Sequence, residues 1–89
     1  MLKLPGVLTH DSAADFTRGL QSLVQAQAGA VVADASQLES FDSSALAVLL
    51  ACRREAQAAG KGFFVHGLPA RLAQLAKLYG VSSLFPVAA

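Results

Sequence analysis

Val31-Val32-Ala33-Asp34-Ala35-Ser36, a short loop from Gln37 to Phe41, and then Asp42-Ser43-Ser44 opening a long apolar stretch leave this chain few folds to choose from. Ala30 to Ala35 is a short apolar run containing β-branched residues, bounded by Gly29 and by polar residues. Such a run suits an interior strand buried on both faces, as in a parallel sheet. From Asp42 the spacing predicts a helix to about Ala59. Its apolar stripe is Ala45, Val48, Leu49, Cys52, Ala56 and Ala59, widened by Leu46 and Leu50. Arg53, Arg54, Glu55 and Gln57 supply its wet side, and Gly60 marks its end. Gly62-Phe63-Phe64-Val65-His66 reads as the next strand. Crossovers of this kind are right-handed and place the strands they join parallel.

The alternation extends in both directions. Leu2 to Leu8 has strand character but is interrupted by Pro5 and Gly6, so a short or edge strand with a bend is expected there. Ser12-Ala13-Ala14-Asp15 fits a helix-start pattern, and Phe16, Leu20, Leu23 and Val24 fall on one face of the helix that follows. Gly19 weakens this helix and Gly29 is its expected stop. Pro69 suits the first turn of a third helix, whose buried stripe is predicted to be Leu72, Leu75, Ala76 and Tyr79, with Gly80 and Val81 as its cap. Ser82 to Ala89 leaves room for a turn and a terminal strand fragment. The whole is one α/β domain spanning residues 1–89, with a largely parallel sheet.

Composition excludes several functions. The seven basic residues are scattered and the formal net charge is +1, which gives no footprint for nucleic acid. The longest apolar run, Ala45 to Cys52, has eight residues, far short of a membrane span. No secretory signal is visible, and a single cysteine allows no internal disulfide, which fits a reducing cytoplasm. Only 15% of the residues are charged, so a partner is expected to cover part of an apolar surface.

The residues for catalysis are missing. His10 and His66 lie in different segments with no metal-ligand spacing to Cys52 or a carboxylate, and Cys52 falls on an apolar stripe, as an inert buried thiol does. No phosphate loop, dinucleotide fingerprint or nucleophile elbow is present. Asp34 and Asp42 are the two carboxylates that end or follow a strand, where α/β sheets usually bind ligands, but no His or Lys accompanies them. Asp42-Ser43-Ser44 has two readings. One is helix capping, with Asp42 accepting first-turn N–H groups. The other is a switch, in which phosphate on Ser43 leaves the fold intact and spoils a contact with a partner.

Val31 to Ser36 followed by Phe41-Asp42-Ser43-Ser44-Ala45-Leu46-Ala47-Val48-Leu49 resembles the central motif of STAS domains, the family of anti-sigma factor antagonists. The resemblance takes in nearly the whole chain, including Gly60-Lys61-Gly62 and the Pro69-led helix. It implies a STAS-like α/β fold, a small mostly parallel or mixed sheet covered by helices, and a binding module rather than an enzyme, with no cofactor and no metal. It assigns partner-binding or regulatory roles to Asp34, Ser36, Phe41, Asp42, Ser43 and Ser44, with Ser43 in the place of the often phosphorylated hydroxyl. Leu75-Ala76-Lys77-Leu78-Tyr79-Gly80-Val81 and the short tail look most like the Mla-type STAS subunit. That resemblance implies a cytoplasmic protein, held peripherally at the inner membrane, that binds the ATPase of a phospholipid-transport ABC complex maintaining outer-membrane lipid asymmetry. The alternative it leaves is an anti-sigma factor antagonist whose partner is an anti-sigma factor kinase acting on Ser43. Two departures stand out. The family's first strand is missing or lies upstream, which would leave a sheet edge open to a partner strand or to homodimerisation. Position 45 is Ala where the family usually has Gly, which bears on how closely a partner approaches.

Overall fold

In the computed structural model, which describes residues 1–88, the β-branched runs settle into parallel pairs. β1 (Leu2–Lys3) and β2 (Val7–Leu8) come first, then α1 (His10–Arg18) and α2 (Leu20–Gln25). β3 (Val31–Asp34), β4 (Ser40–Phe41), α3 (Ser44–Ala58), β5 (Phe63–His66) and α4 (Ala70–Leu78) follow, with a 3₁₀ turn at Ser82–Leu84. One sheet has the order β1-β3-β5, with β3 in the middle as its apolar run requires. A second, two-stranded sheet pairs β2 with β4. Every one of these pairings is parallel. Pro5-Gly6 is the bend that sends β1 and β2 to different partners. The expected terminal strand fragment is a single parallel bridge from Val87 to Val65; Ala89 lies outside the described residues.

Burial alternates along the strands and shows where the helices lie. Leu2, Val31, Ala33, Phe63 and Val65 are buried together with Val48, Leu49, Cys52 and Ala56 of α3. Val32 is only half-buried and Phe64 is 37% exposed, so the opposite face of the sheet is partly open rather than buried on both sides. The helices gather on one side because a two-residue β1 and four-residue β3 and β5 make a sheet too small for two layers.

Several helix boundaries differ from the sequence expectation. α1 starts at His10 with Thr9 as its N-cap, and Ser12 sits at the third position, where its Oγ accepts the Thr9 N–H at 3.0 Å. Asp15 pairs with Arg18 instead of serving the helix start. Gly19 does more than weaken its helix: its backbone leaves helical geometry and divides the segment into α1 and α2. Leu20 and Val24 are buried, while Leu23 turns outward. α2 stops before Gly29, and Lys61 Nζ donates to the carbonyls of Val24 (3.0 Å), Gln25 (3.4 Å) and Gln27 at its end. A cation there satisfies carbonyls that have no partner within the helix.

α3 and α4 close alike. At the end of α3 the N–H groups of Gly60 and Lys61 reach the carbonyls of Gln57 and Ala56, and at the end of α4 those of Gly80 and Val81 reach Lys77 and Ala76. Ala59 and Tyr79 are the residues at these turns and both face solvent, Tyr79 at 57% exposure. Neither therefore completes the buried stripe predicted for it. The turn at Gly80 folds Val81 back against the core instead.

Candidate functional site

Parallel strands put all their carboxyl ends on one side, and the candidate residues lie there. Lys3, Asp34 and His66 stand in register across β1, β3 and β5. Asp34 is only 5% exposed, and its Oδ1 accepts both the Ser36 hydroxyl (2.6 Å) and the Ser36 N–H (3.0 Å). These two bonds, the hydroxyl first, hold the Asp34 carboxyl below its ordinary pKa against the opposing effect of burial, and the charges of His66 and Lys3 add to them. The turn is tied down on both sides. Ala35 N–H donates to the His66 carbonyl at 2.8 Å, and Glu39 and Ser40 both donate to the Gly6 carbonyl.

The Asp42 corner is built differently. Ser40–Phe41 pairs with Val7–Leu8, which brings the start of α1 beside the start of α3. Asp42 sits between them: Oδ1 accepts the Ser44 N–H at 2.8 Å and Oδ2 the His10 N–H at 3.1 Å. Bonds from Ser44, then the one from His10, hold its pKa below the ordinary value. The capping reading of Asp42 is thus realised, and it serves two helices at once. Ser43 is exposed and makes no capping hydrogen bond, Ser44 is half-buried, and Phe41 is half-buried against the core. Ala45 is fully buried, so the Ala at this position faces the core and not an approaching partner.

The six candidates therefore form two groups. Phe41, Asp42, Ser43 and Ser44 make a continuous corner, while Asp34 and Ser36 bond to each other and organise the loop that leads to it. Two further residues belong to this region. Arg71, on the first turn of α4, places its guanidinium 4.6 Å from the centre of the Phe41 ring and reaches the Phe41 carbonyl at 3.5 Å. Gly67 packs against Ser36 so tightly that a Cβ there would lie 2.7 Å from the Ser36 Cβ. A glycine directly after a strand hints at the second; nothing in the sequence around position 71 points to Phe41. Among the described residues no group of His, Cys, Asp and Glu is arranged to hold a metal, and no helix is long and apolar enough to cross a membrane. A shallow depression of about 280 Å³ lies elsewhere, lined by Thr17, Leu20, Ala51, Arg54 and Glu55.

Comparison with known proteins agrees with this architecture. The chain superposes on a Thermotoga maritima protein described as an anti-sigma factor antagonist with a TM-score of 0.76 and 16% identity, over 94% of this chain and 74% of that one. It superposes on the anti-sigma factor antagonist SpoIIAA in its unphosphorylated form with a TM-score of 0.73 and 17% identity, over 98% and 76% of the two chains. A sulfate transporter family protein from Wolinella succinogenes gives 0.70 and 13%, over 92% and 66%. No curated protein sequence matches the chain significantly. A family model described as "Mlab, STAS domain" matches residues 1–86. With the parallel sheet, the one-sided helices and the aspartate–serine corner in place, that match settles the matter: the chain belongs to the STAS domain family.

Proposed function

We propose that this STAS domain is a non-catalytic docking module whose recognition surface is the Phe41–Ser44 corner, and that its partner is the ATPase subunit of a bacterial phospholipid-transport ABC complex. The observation that carries the docking role is an exposed serine on a rigid frame, with Asp42 beside it pinned by N–H groups from two helices. Rigid, exposed polar corners suit recognition, because little conformational entropy is lost on binding. STAS domains are in general regulatory rather than catalytic, and the description of the matching family model supports the transport partner. Through that partner the protein would sit at the inner membrane.

A second reading, an anti-sigma factor antagonist controlled by an anti-sigma factor kinase at Ser43, draws support from the names of two structural neighbours. Affinity capture from a native cytoplasmic-membrane fraction separates the two: recovery of an ABC ATPase supports the first, and recovery of a kinase with a sigma factor the second.

The corner itself is tested with Ser43→Asp. A negative charge at an exposed helix start interacts favourably with the dipole, by about 0.3–1 kcal/mol, so thermal stability is expected to hold. At a desolvated contact the same charge is unpaired and costs several kcal/mol, a loss of affinity on the order of 10²-fold. Ser43→Ala should bind far better than Ser43→Asp. A Ser43→Asp protein that melts and binds like the parent reduces Ser43 to a residue of the helix start.

A further inference from the structure

The guanidinium of Arg71 is held at the docking corner by two weak contacts. One is with the face of the Phe41 ring, 4.6 Å from its centre, and the other is a long 3.5 Å bond to the Phe41 carbonyl. Arg71 is exposed, and among the described residues it has no carboxylate partner. Asp42 does not fill that role, because its two oxygens are taken by the N–H groups of Ser44 and His10. Ser43 lies two residues beyond Phe41, a span of at most about 7 Å of backbone, and is exposed with no capping hydrogen bond. The corner thus pairs a modifiable hydroxyl with a mobile cation parked on an aromatic face.

We propose that Arg71 is the residue that reads the state of Ser43: a phosphate on Ser43 draws the guanidinium off the Phe41 ring and pairs with it. The proposal rests on the reading of this corner as a regulated docking surface. The modification transfers the γ-phosphoryl group of ATP, bound to a separate kinase, to Ser43 Oγ, with release of the hydroxyl proton and ADP as the leaving group. An exposed cation–π contact is weak, whereas a guanidinium–phosphate pair is charge-assisted and often bidentate, so the exchange runs toward the phosphate. Its consequence is geometric as well as electrostatic. The unmodified corner offers a partner the Arg71 cation over Phe41; the modified corner offers an uncovered ring edge and an internally satisfied phosphate.

The test uses the full chain with phosphoserine installed at position 43, in the Arg71, Arg71→Gln and Arg71→Lys backgrounds, followed by thermal melting and by the NMR signals of the Arg71 Nε–H and the Phe41 ring. In the parent background phosphorylation is expected to move the Nε–H signal downfield, shift the Phe41 ring signals and hold or raise Tm. In Arg71→Gln it should lower Tm relative to the parent response by roughly 4–8 °C, the change that a fivefold shift in the folding equilibrium gives a domain of this size. Arg71→Lys should recover part of that difference. An unmoved Nε–H signal, together with equal Tm responses in all three backgrounds, overturns the proposal. The pairing is measured without any partner. A positive coupling combined with a partner that binds modified and unmodified protein equally would therefore refute the docking reading while confirming the pair.

Discussion

The Asp42 carboxylate accepts the backbone N–H of His10, 32 residues upstream, at 3.1 Å, while its other oxygen accepts the N–H of Ser44. One side chain thus closes the first turn of α3 and anchors the first turn of α1. Its pKa lies below 3.8, first because of Ser44 and then because of His10. A depressed carboxylate stabilises the fold fully above its unfolded pKa, and that contribution is lost as pH falls through the folded value. Asp34, lowered by Ser36, acts in the same direction. Tm is therefore expected to be flat near neutrality and to drop below about pH 4. Asp42→Asn should melt lower than the parent at pH 7 and show a shallower acid decline, measured by circular dichroism melts across pH 2–8.

Gly67 and Gly80 share a backbone conformation, with φ of +69° and +71°, but not an environment. At position 80 a Cβ would meet nothing within 4 Å; at position 67 it would lie 2.7 Å from the Ser36 Cβ and 3.0 Å from its Cα. Gly80→Ala should lose about 1–2 kcal/mol, the cost of the left-handed conformation alone. Gly67→Ala should lose distinctly more, because Ser36 must move and its bonds to Asp34 move with it. Urea unfolding of the two variants side by side measures the difference.

Cys52 is fully buried against the sheet, and burial, with a smaller contribution from Glu55, pushes its thiol up to about 11. At pH 8 the thiolate of the folded protein is then on the order of one part in a thousand, and reagent access is blocked as well. Labelling with a chromogenic disulfide should be very slow in buffer and rapid in denaturant. Stoichiometric labelling of the native protein within minutes would remove Cys52 from the core.

What the sequence determined by itself was local. Val31–Asp34 is the central strand, α3 and α4 carry glycine caps, Pro5-Gly6 bends the first segment and Cys52 faces the core. Each of these follows from residue types within one or two turns of one another, where spacing and cap chemistry act directly. The resemblance to STAS domains, carried by Val31–Ser36 and Phe41–Leu49, supplied the family in the same way. What only the tertiary structure decided depends on distant neighbours. Asp34 and Asp42 read alike as strand-end carboxylates, yet one is buried in its own loop and the other joins two helices. Lys61 closes a helix more than thirty residues away, and Arg71 lies over Phe41 across thirty positions of chain. Tyr79 fits the periodicity of a buried stripe but falls at the turn where α4 stops, and Val81 takes the place against the core. Periodicity records which side of an element is apolar; the pairing of β2 with β4 and the end of each helix decide what that side meets.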